Sequence, residues 1–123
     1  MRSLVWKLVL TALTLALVAA PVLLPTAARA ESPALTEAQV LYDGAKFTDA
    51  IAKLREAIST GAVTGPEALK AKELLGRCLV KAGSRIEAKQ QFKNLLRQDS
   101  GYRLDAANVP PDEMEVFELA SKE

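Results

Sequence analysis

Apolar residues recur at three- and four-residue intervals on both sides of the short segment Ala82-Gly83-Ser84. This spacing places one apolar stripe along each of two helices, because an α-helix turns once every 3.6 residues. Two helices joined by so short a turn lie antiparallel, with their stripes in contact. We therefore predict an αα-hairpin from Leu74 to Asp99, with stripes formed by Leu75, Cys78, Leu79 and Ala82, then by Ala88, Phe92, Leu95 and Leu96.

The same periodicity predicts another hairpin before this one. Its first helix begins at Thr36 and ends at Gly44, with Ala38, Leu41 and Tyr42 on one face. Its second helix follows Phe47 and carries the stripe Ala50, Leu54, Ala57 and Ile58. A loop from Gly61 to Pro66 then leads into the third helix, because proline suits a first helical turn. The fourth helix starts at Ser84, where Ser84 and Glu87 have the spacing of a capping box.

Composition supports an all-α domain and excludes several kinds of chemistry. The chain has 123 residues, of which 50% are apolar and only 5% aromatic, whereas strands favour aromatic and β-branched side chains. It contains no histidine, which excludes a Ser-His-Asp unit, a Cys-His unit and a histidine-bearing metal site. No phosphate-binding glycine motif occurs. We expect no cofactor and no metal.

Residues 1–30 have the order of a secretory signal peptide. Arg2 and Lys7 precede an uncharged run from Leu8 to Leu24, and Ala28-Arg29-Ala30 supplies the small residues of a cleavage site. The alternative is a membrane anchor that stays in place, although the run is short and carries two prolines near its end. Cleavage would leave Cys78 as the only thiol of an exported chain, and its place in the stripe predicts a buried, inert side chain.

The two predicted hairpins match one another at an offset of 38 residues. Ala50 then aligns with Ala88, Leu54 with Phe92, and Ala38 with Gly76. Both copies resemble the tetratricopeptide repeat, a helix-turn-helix unit of about 34 residues. The second copy carries that pattern in Leu75-Gly76, Leu79, Gly83, Glu87-Ala88 and Phe92; the first carries it in Ala38, Leu41, Phe47, Asp49-Ala50 and Ala57 but lacks the aromatic of its first helix.

This resemblance implies an α-solenoid of two repeats and a C-terminal capping helix. The predicted divisions are a signal peptide (1–30), a tail (31–35), repeat 1 (36–61), repeat 2 (66–99), a linker (100–109) and the capping helix (110–123). In the family, the first helix of each repeat lines a concave groove that binds peptides. The positions implied to face that groove are Gln39, Tyr42 and Asp43 in the first repeat and Lys70, Leu74, Arg77 and Lys81 in the second.

The C-terminal segment leaves two interpretations open. Pro110-Pro111 stops any preceding helix, and Met114, Phe117 and Ala120 or Ser121 line one face of the next. This helix either caps the last repeat, which otherwise exposes an apolar face, or protrudes to bind a partner. Asp112 and Glu113 are expected to be solvated carboxylates of its first turn. The order Tyr-Arg-Leu-Asp, Pro-Pro and Phe is similar to the tails of some small exported bacterial repeat proteins.

Charge is concentrated in the second repeat. Residues 31–69 carry three basic and six acidic residues, 70–103 carry nine and three, and 104–123 carry one and six. Arg85, Lys89, Lys93 and Arg97 form a row at four-residue intervals, which is either a solvated face or a surface that meets the acidic C-terminal helix. Arg77 is the expected bidentate donor to a carboxylate in the groove.

These observations predict a non-enzymatic scaffold of the bacterial periplasm or cell envelope that binds another protein or an acidic peptide. One alternative is a structural subunit whose repeats stack on a larger partner. Another is an accessory enzyme that uses the carboxylates of Glu113 or Glu115. Nucleic acid is not an expected partner, because the basic hairpin lacks aromatic residues at stacking positions. Membrane contact is expected only through an uncleaved signal segment.

Overall fold

The computed structural model describes residues 31–123, which form five helices and contain no strand. The helices are α1 (Pro33–Asp43), α2 (Phe47–Thr60), α3 (Pro66–Lys81), α4 (Arg85–Gln98) and α5 (Pro111–Ser121). The predicted all-α class is therefore confirmed for this part of the chain. The predicted signal peptide, residues 1–30, lies outside the described residues. Within residues 31–123, no helix combines the length and apolar character needed to cross a membrane.

Helix starts are set by proline more than by side-chain caps. Pro33, Pro66 and Pro111 each stand in the first turn of a helix, where the missing N–H has no partner to lose. Helix α1 therefore begins three residues before Thr36, the predicted start. The predicted capping box is wrong, because the Ser84 side chain makes no cap hydrogen bond. The carboxylate of Glu87 instead pairs with Arg55 of α2.

Consecutive helices pack against one another, and α3 also contacts α1 and α5. The buried core follows the predicted stripes of α2 and α4 closely, with Ile51 buried in addition and Ile58 and Leu96 only partly buried. In α3, Gly76 allows a close approach, since a Cβ there would lie 2.5 Å from Cε1 of Phe92. The ring of Phe92 packs edge-on against Phe117 of α5, with centroids 5.3 Å apart.

The turns of the two hairpins have the same hydrogen bonds. In the first, the amides of Gly44, Ala45 and Lys46 donate to the carbonyls of Val40, Tyr42 and Leu41, at 3.0, 2.9 and 2.8 Å. In the second, the amides of Ala82, Gly83 and Ser84 donate to the carbonyls of Cys78, Val80 and Leu79, at 2.9, 3.0 and 2.8 Å. Every donor and acceptor is displaced by 38 residues. The backbone thus repeats at the offset that the sequence predicts.

Helix α5 packs on the second hairpin and does not protrude from it. Val116, Phe117 and Ala120 are buried, whereas Met114 is only partly buried and Ser121 is exposed. The predicted apolar face was therefore displaced, because Val116 and not Met114 points most directly into the core. Ion pairs Arg85–Glu115 and Lys93–Glu123 show that α5 runs in the same direction as α4. The connection 99–110 carries the chain back between them.

Candidate protein-binding site

The structure divides the seven predicted groove residues between two neighbouring features. Gln39, Lys70, Leu74 and Arg77 line one cleft between α1 and α3. Tyr42, Arg77 and Lys81 meet at the carboxylate of Glu113, on α5. The seventh residue, Asp43, accepts a hydrogen bond from Gln39 at 3.0 Å on the surface of α1. Arg77 belongs to both features and connects them.

The carboxylate of Glu113 is completely buried and fully coordinated by the chain itself. Arg77 Nε donates to Glu113 Oε1 at 2.6 Å, and the Tyr42 hydroxyl donates to Oε2 at 2.6 Å. Lys81 Nζ lies 3.5 Å from the same Oε2. The side chain of Glu113 is 0% exposed. A buried carboxylate is tolerated only when charged and hydrogen-bonding partners replace water, and three do so here.

The guanidinium of Arg77 is held on three sides. It lies 4.8 Å from the centre of the Tyr42 ring, in cation–π geometry, and Arg77 Nη1 donates to Glu73 Oε2 at 3.3 Å. Burial alone would lower the pKa of Arg77, but the hydrogen bond to Glu113 outweighs it and raises that pKa. Burial, together with the hydrogen bond to Glu113, raises the pKa of Tyr42. Arg77 is therefore a permanent cation and Tyr42 a neutral donor.

Lys81 closes the network at its solvent edge. Its ammonium donates to both carboxylate oxygens of Asp112, at 2.9 and 3.1 Å. The hydrogen bond from Lys81 holds the pKa of Asp112 below its usual range, and the same bond raises the pKa of Lys81. Asp112 remains half-exposed, so this pair is weaker than the buried one beside it.

Glu113 is the functional residue that sequence reasoning missed. It was expected to be a solvated first-turn carboxylate, and that expectation is wrong. The pattern contains a signal for its burial: Glu113, Val116, Phe117 and Ala120 follow the i, i+3, i+4, i+7 spacing of one helix face. A carboxylate inside such a stripe needs a cation opposite it, and Arg77 on α3 is that cation.

A cleft of about 250 Å³ remains open between α1 and α3, beyond Arg77. Leu35 and Leu74 contribute apolar surface, although Leu74 is only 3% exposed and so forms part of the floor. Lys70 is exposed at the rim and has no ion-pair partner among residues 31–123. At the far side, the Tyr102 hydroxyl donates to Glu73 Oε1 at 2.6 Å. Burial, reinforced by that hydrogen bond, raises the pKa of Tyr102.

The basic row on α4 meets the acidic C-terminal helix, which was the second of its two interpretations. Arg85 pairs with Glu115, and both Lys89 and Lys93 pair with Glu123. Arg97 instead donates to the side-chain oxygen of Asn94 at 3.0 Å. Three of the four cations are therefore matched by α5.

Compared with protein-family models, with curated proteins and with solved structures, the chain matches none. The tetratricopeptide resemblance accordingly stays a prediction, and the site is interpreted from its own geometry.

Proposed function

We propose that this protein is a non-enzymatic scaffold of the bacterial periplasm or cell envelope, built from two tetratricopeptide-like hairpins. It holds an acidic segment of a partner protein in the cleft between α1 and α3. The observation that carries the proposal is the cleft itself, which combines an apolar floor with the exposed ammonium of Lys70. An apolar surface with a few convergent polar groups is the usual form of a recognition site.

The repeated backbone supports the tetratricopeptide part of the proposal. The two turns share their hydrogen bonds at an offset of 38 residues, and α1 and α3, the first helices of the two hairpins, are in contact. The signal-like order of residues 1–30 supports export. Fold alone does not name a partner, so the chemistry of the cleft defines the expected one.

The internal ion pairs change which residues contact the partner. Arg77 and Lys81 are engaged by Glu113 and Asp112, so their cations hold α5 in place. Lys70 and Gln39 then make the principal polar contacts, with Leu35 and Leu74 beneath them. Arg77 contributes only at the end of the cleft.

A charge reversal at the rim tests this proposal. Lys70→Glu should abolish capture of the partner from envelope extract, because it places a carboxylate where the partner's carboxylate binds. The matched control is Lys46→Glu, an exposed lysine in the first turn. Circular dichroism should show unchanged helical content in both variants. Capture of the same identified protein by Lys70→Glu and by the parent would rule out this cleft.

Exposed apolar residues favour the stacking alternative as a second candidate. Ile86 is 88% exposed and lies beside Leu119, which is 43% exposed, so the start of α4 and the outer face of α5 share an apolar patch. Such a patch marks an interface when it is contiguous. An Ile86→Ser variant should then lose any self-assembly that light scattering detects in the parent. A parent that scatters as a monomer at all concentrations would remove this candidate.

A further inference from the structure

A larger cleft, of about 680 Å³, lies between α4, α5 and the segment that follows α4. On α4 it is lined by positions 93, 96 and 97, and on α5 by positions 114, 117 and 118. Each set has the spacing of a single helix face. Since the two helices run in the same direction, their faces form the two walls of one groove.

The floor of this groove is apolar. Phe117 and Leu104 are 4% and 7% exposed, and Leu96 and Met114 are partly buried against the same core. Methionine and leucine on a groove floor adapt to the shape of an apolar partner, as a flexible thioether does in other binding surfaces. A partner that buries this floor must therefore present apolar side chains along its length.

The rim carries the unmatched positive charge of the molecule. Of the five arginines in residues 31–123, Arg55, Arg77 and Arg85 pair with carboxylates. Arg97 and Arg103 do not: Arg97 donates to Asn94, and Arg103 donates to the carbonyls of Ser100 and Tyr102 at 3.4 and 2.8 Å. Both line this groove. A guanidinium has a planar fork of donors suited to a carboxylate, and these two forks have none.

We propose that this groove receives an amphipathic helix of a partner protein. The apolar stripe of that helix lies on Leu96, Met114 and Phe117, and its flanking carboxylates bind Arg97 and Arg103. A helix fits because both walls repeat once per turn, as the i, i+3, i+4, i+7 side chains of a docked helix do. The site is separate from the cleft between α1 and α3, since the two share no lining residue.

A pair of synthetic helical peptides tests the groove on the purified protein. Both have about 18 residues and the same leucine stripe; one is flanked by glutamates and the other by lysines, and both carry a fluorescent label. Anisotropy titration should show that the acidic peptide binds at least about tenfold more tightly than the basic one. Equal affinities would overturn the proposal, and so would an absence of binding by both.

Variants locate the binding. Arg97→Glu with Arg103→Glu should weaken the acidic peptide at least about tenfold and strengthen the basic one. Lys46→Glu with Lys72→Glu changes the net charge equally at other positions and should leave both affinities unchanged. Met114→Gln should weaken both peptides by removing apolar contact. If the control double variant acts like the arginine pair, general charge and not this groove would explain the binding.

Two further outcomes separate this proposal from others. Lys70→Glu should leave peptide binding unchanged, so failure of the cleft between α1 and α3 does not affect this result. Sedimentation of the protein alone should show a monomer. A dimer that the Arg97→Glu, Arg103→Glu variant dissociates would mean that a second copy fills the groove, which would overturn the partner-helix proposal.

Discussion

The two hairpins have the same turn geometry but different surfaces. Residues 46 and 84, each just before a second helix, have backbone angles within two degrees of one another, at φ −95°, ψ 65° and φ −97°, ψ 64°. At equivalent positions of the first helices, however, Gln39 and Asp43 correspond to Arg77 and Lys81. Only the second hairpin therefore presents the cations that bind Asp112 and Glu113 of α5. Local hydrogen bonding specifies the hairpin, and side-chain charge decides which hairpin α5 packs on.

Burial differs between the hairpins for the same reason. Cys78 is completely buried, while Val40, at the equivalent position of the first hairpin, is 65% exposed. Helix α3 has neighbours in α1, α2 and α5, whereas α1 contacts only α2 and α3 among the five described helices. Exchanging residues between equivalent positions should therefore affect the second hairpin more strongly than the first.

The largest effect is expected from Arg77→Gln, which gives the second hairpin the side chain of the first. It leaves the buried carboxylate of Glu113 without its closest cation, a change that costs about 3–5 kcal/mol in the free energy of unfolding. Urea denaturation followed by circular dichroism measures this. The control, Gln39→Ala, should change stability by less than about 0.5 kcal/mol. Adding Glu113→Gln to Arg77→Gln should recover part of the loss, and a strictly additive result would show that the two side chains are not coupled.

Alkaline pH should destabilise the protein through groups buried around the second hairpin. Burial raises the pKa of Cys78 from 9.0 to about 12. Below about pH 9 the thiol is protonated in both states, so stability is complete. At higher pH the unfolded chain releases the proton and the folded chain keeps it, so the free energy of unfolding falls by up to about 1.4 kcal/mol per pH unit. Tyr42 and Tyr102, whose pKa values are also raised, add to the loss above about pH 10.

Denaturation midpoints measured between pH 7 and pH 11 test this expectation. The variant Cys78→Ala should be less stable at neutral pH because it leaves a cavity, but its stability should decline less between pH 9 and pH 10. An unchanged decline in that variant would assign the pH dependence to groups other than the thiol.

Gly76→Ala also gives the second hairpin the residue of the first, where Ala38 occupies the equivalent position. The new Cβ would lie 2.5 Å from Cε1 of Phe92, so the ring must move and stability should fall by about 1–3 kcal/mol. Adding Phe92→Leu recreates the Ala38 and Leu54 pair of the first hairpin. The double variant should then lose less than the sum of its single changes. A loss equal to that sum would show that the glycine is not needed to admit the ring.

Much of this fold was predictable from local pattern, and the missing parts depend on contacts distant in the sequence. The turn at Ala82-Gly83-Ser84, the 38-residue offset and the burial of Cys78 followed from spacing and apolar character. The burial of Glu113 did not, because it depends on Arg77, 36 residues away, and on Tyr42, 71 residues away. The same contacts explain why Arg77 and Lys81, although placed correctly on α3, serve α5 before any partner.

The smallest effects are expected in the turns, where the two hairpins place glycine differently. The left-handed residue is Gly83 in the second hairpin, with φ 88°, but Ala45 in the first, with φ 62°. The first turn has its glycine one position earlier, at Gly44, where φ is −86° and glycine is not required. A Cβ in the left-handed region costs about 1 kcal/mol, so Ala45→Gly should stabilise the protein and Gly83→Ala should destabilise it by similar amounts. Thermal melts of the two variants measure both shifts. Since nothing lies within 4 Å of a Cβ built on Gly83, its substitution tests backbone conformation without a steric clash. Two shifts of the same sign would contradict the equivalence of the turns on which the comparison of the hairpins depends.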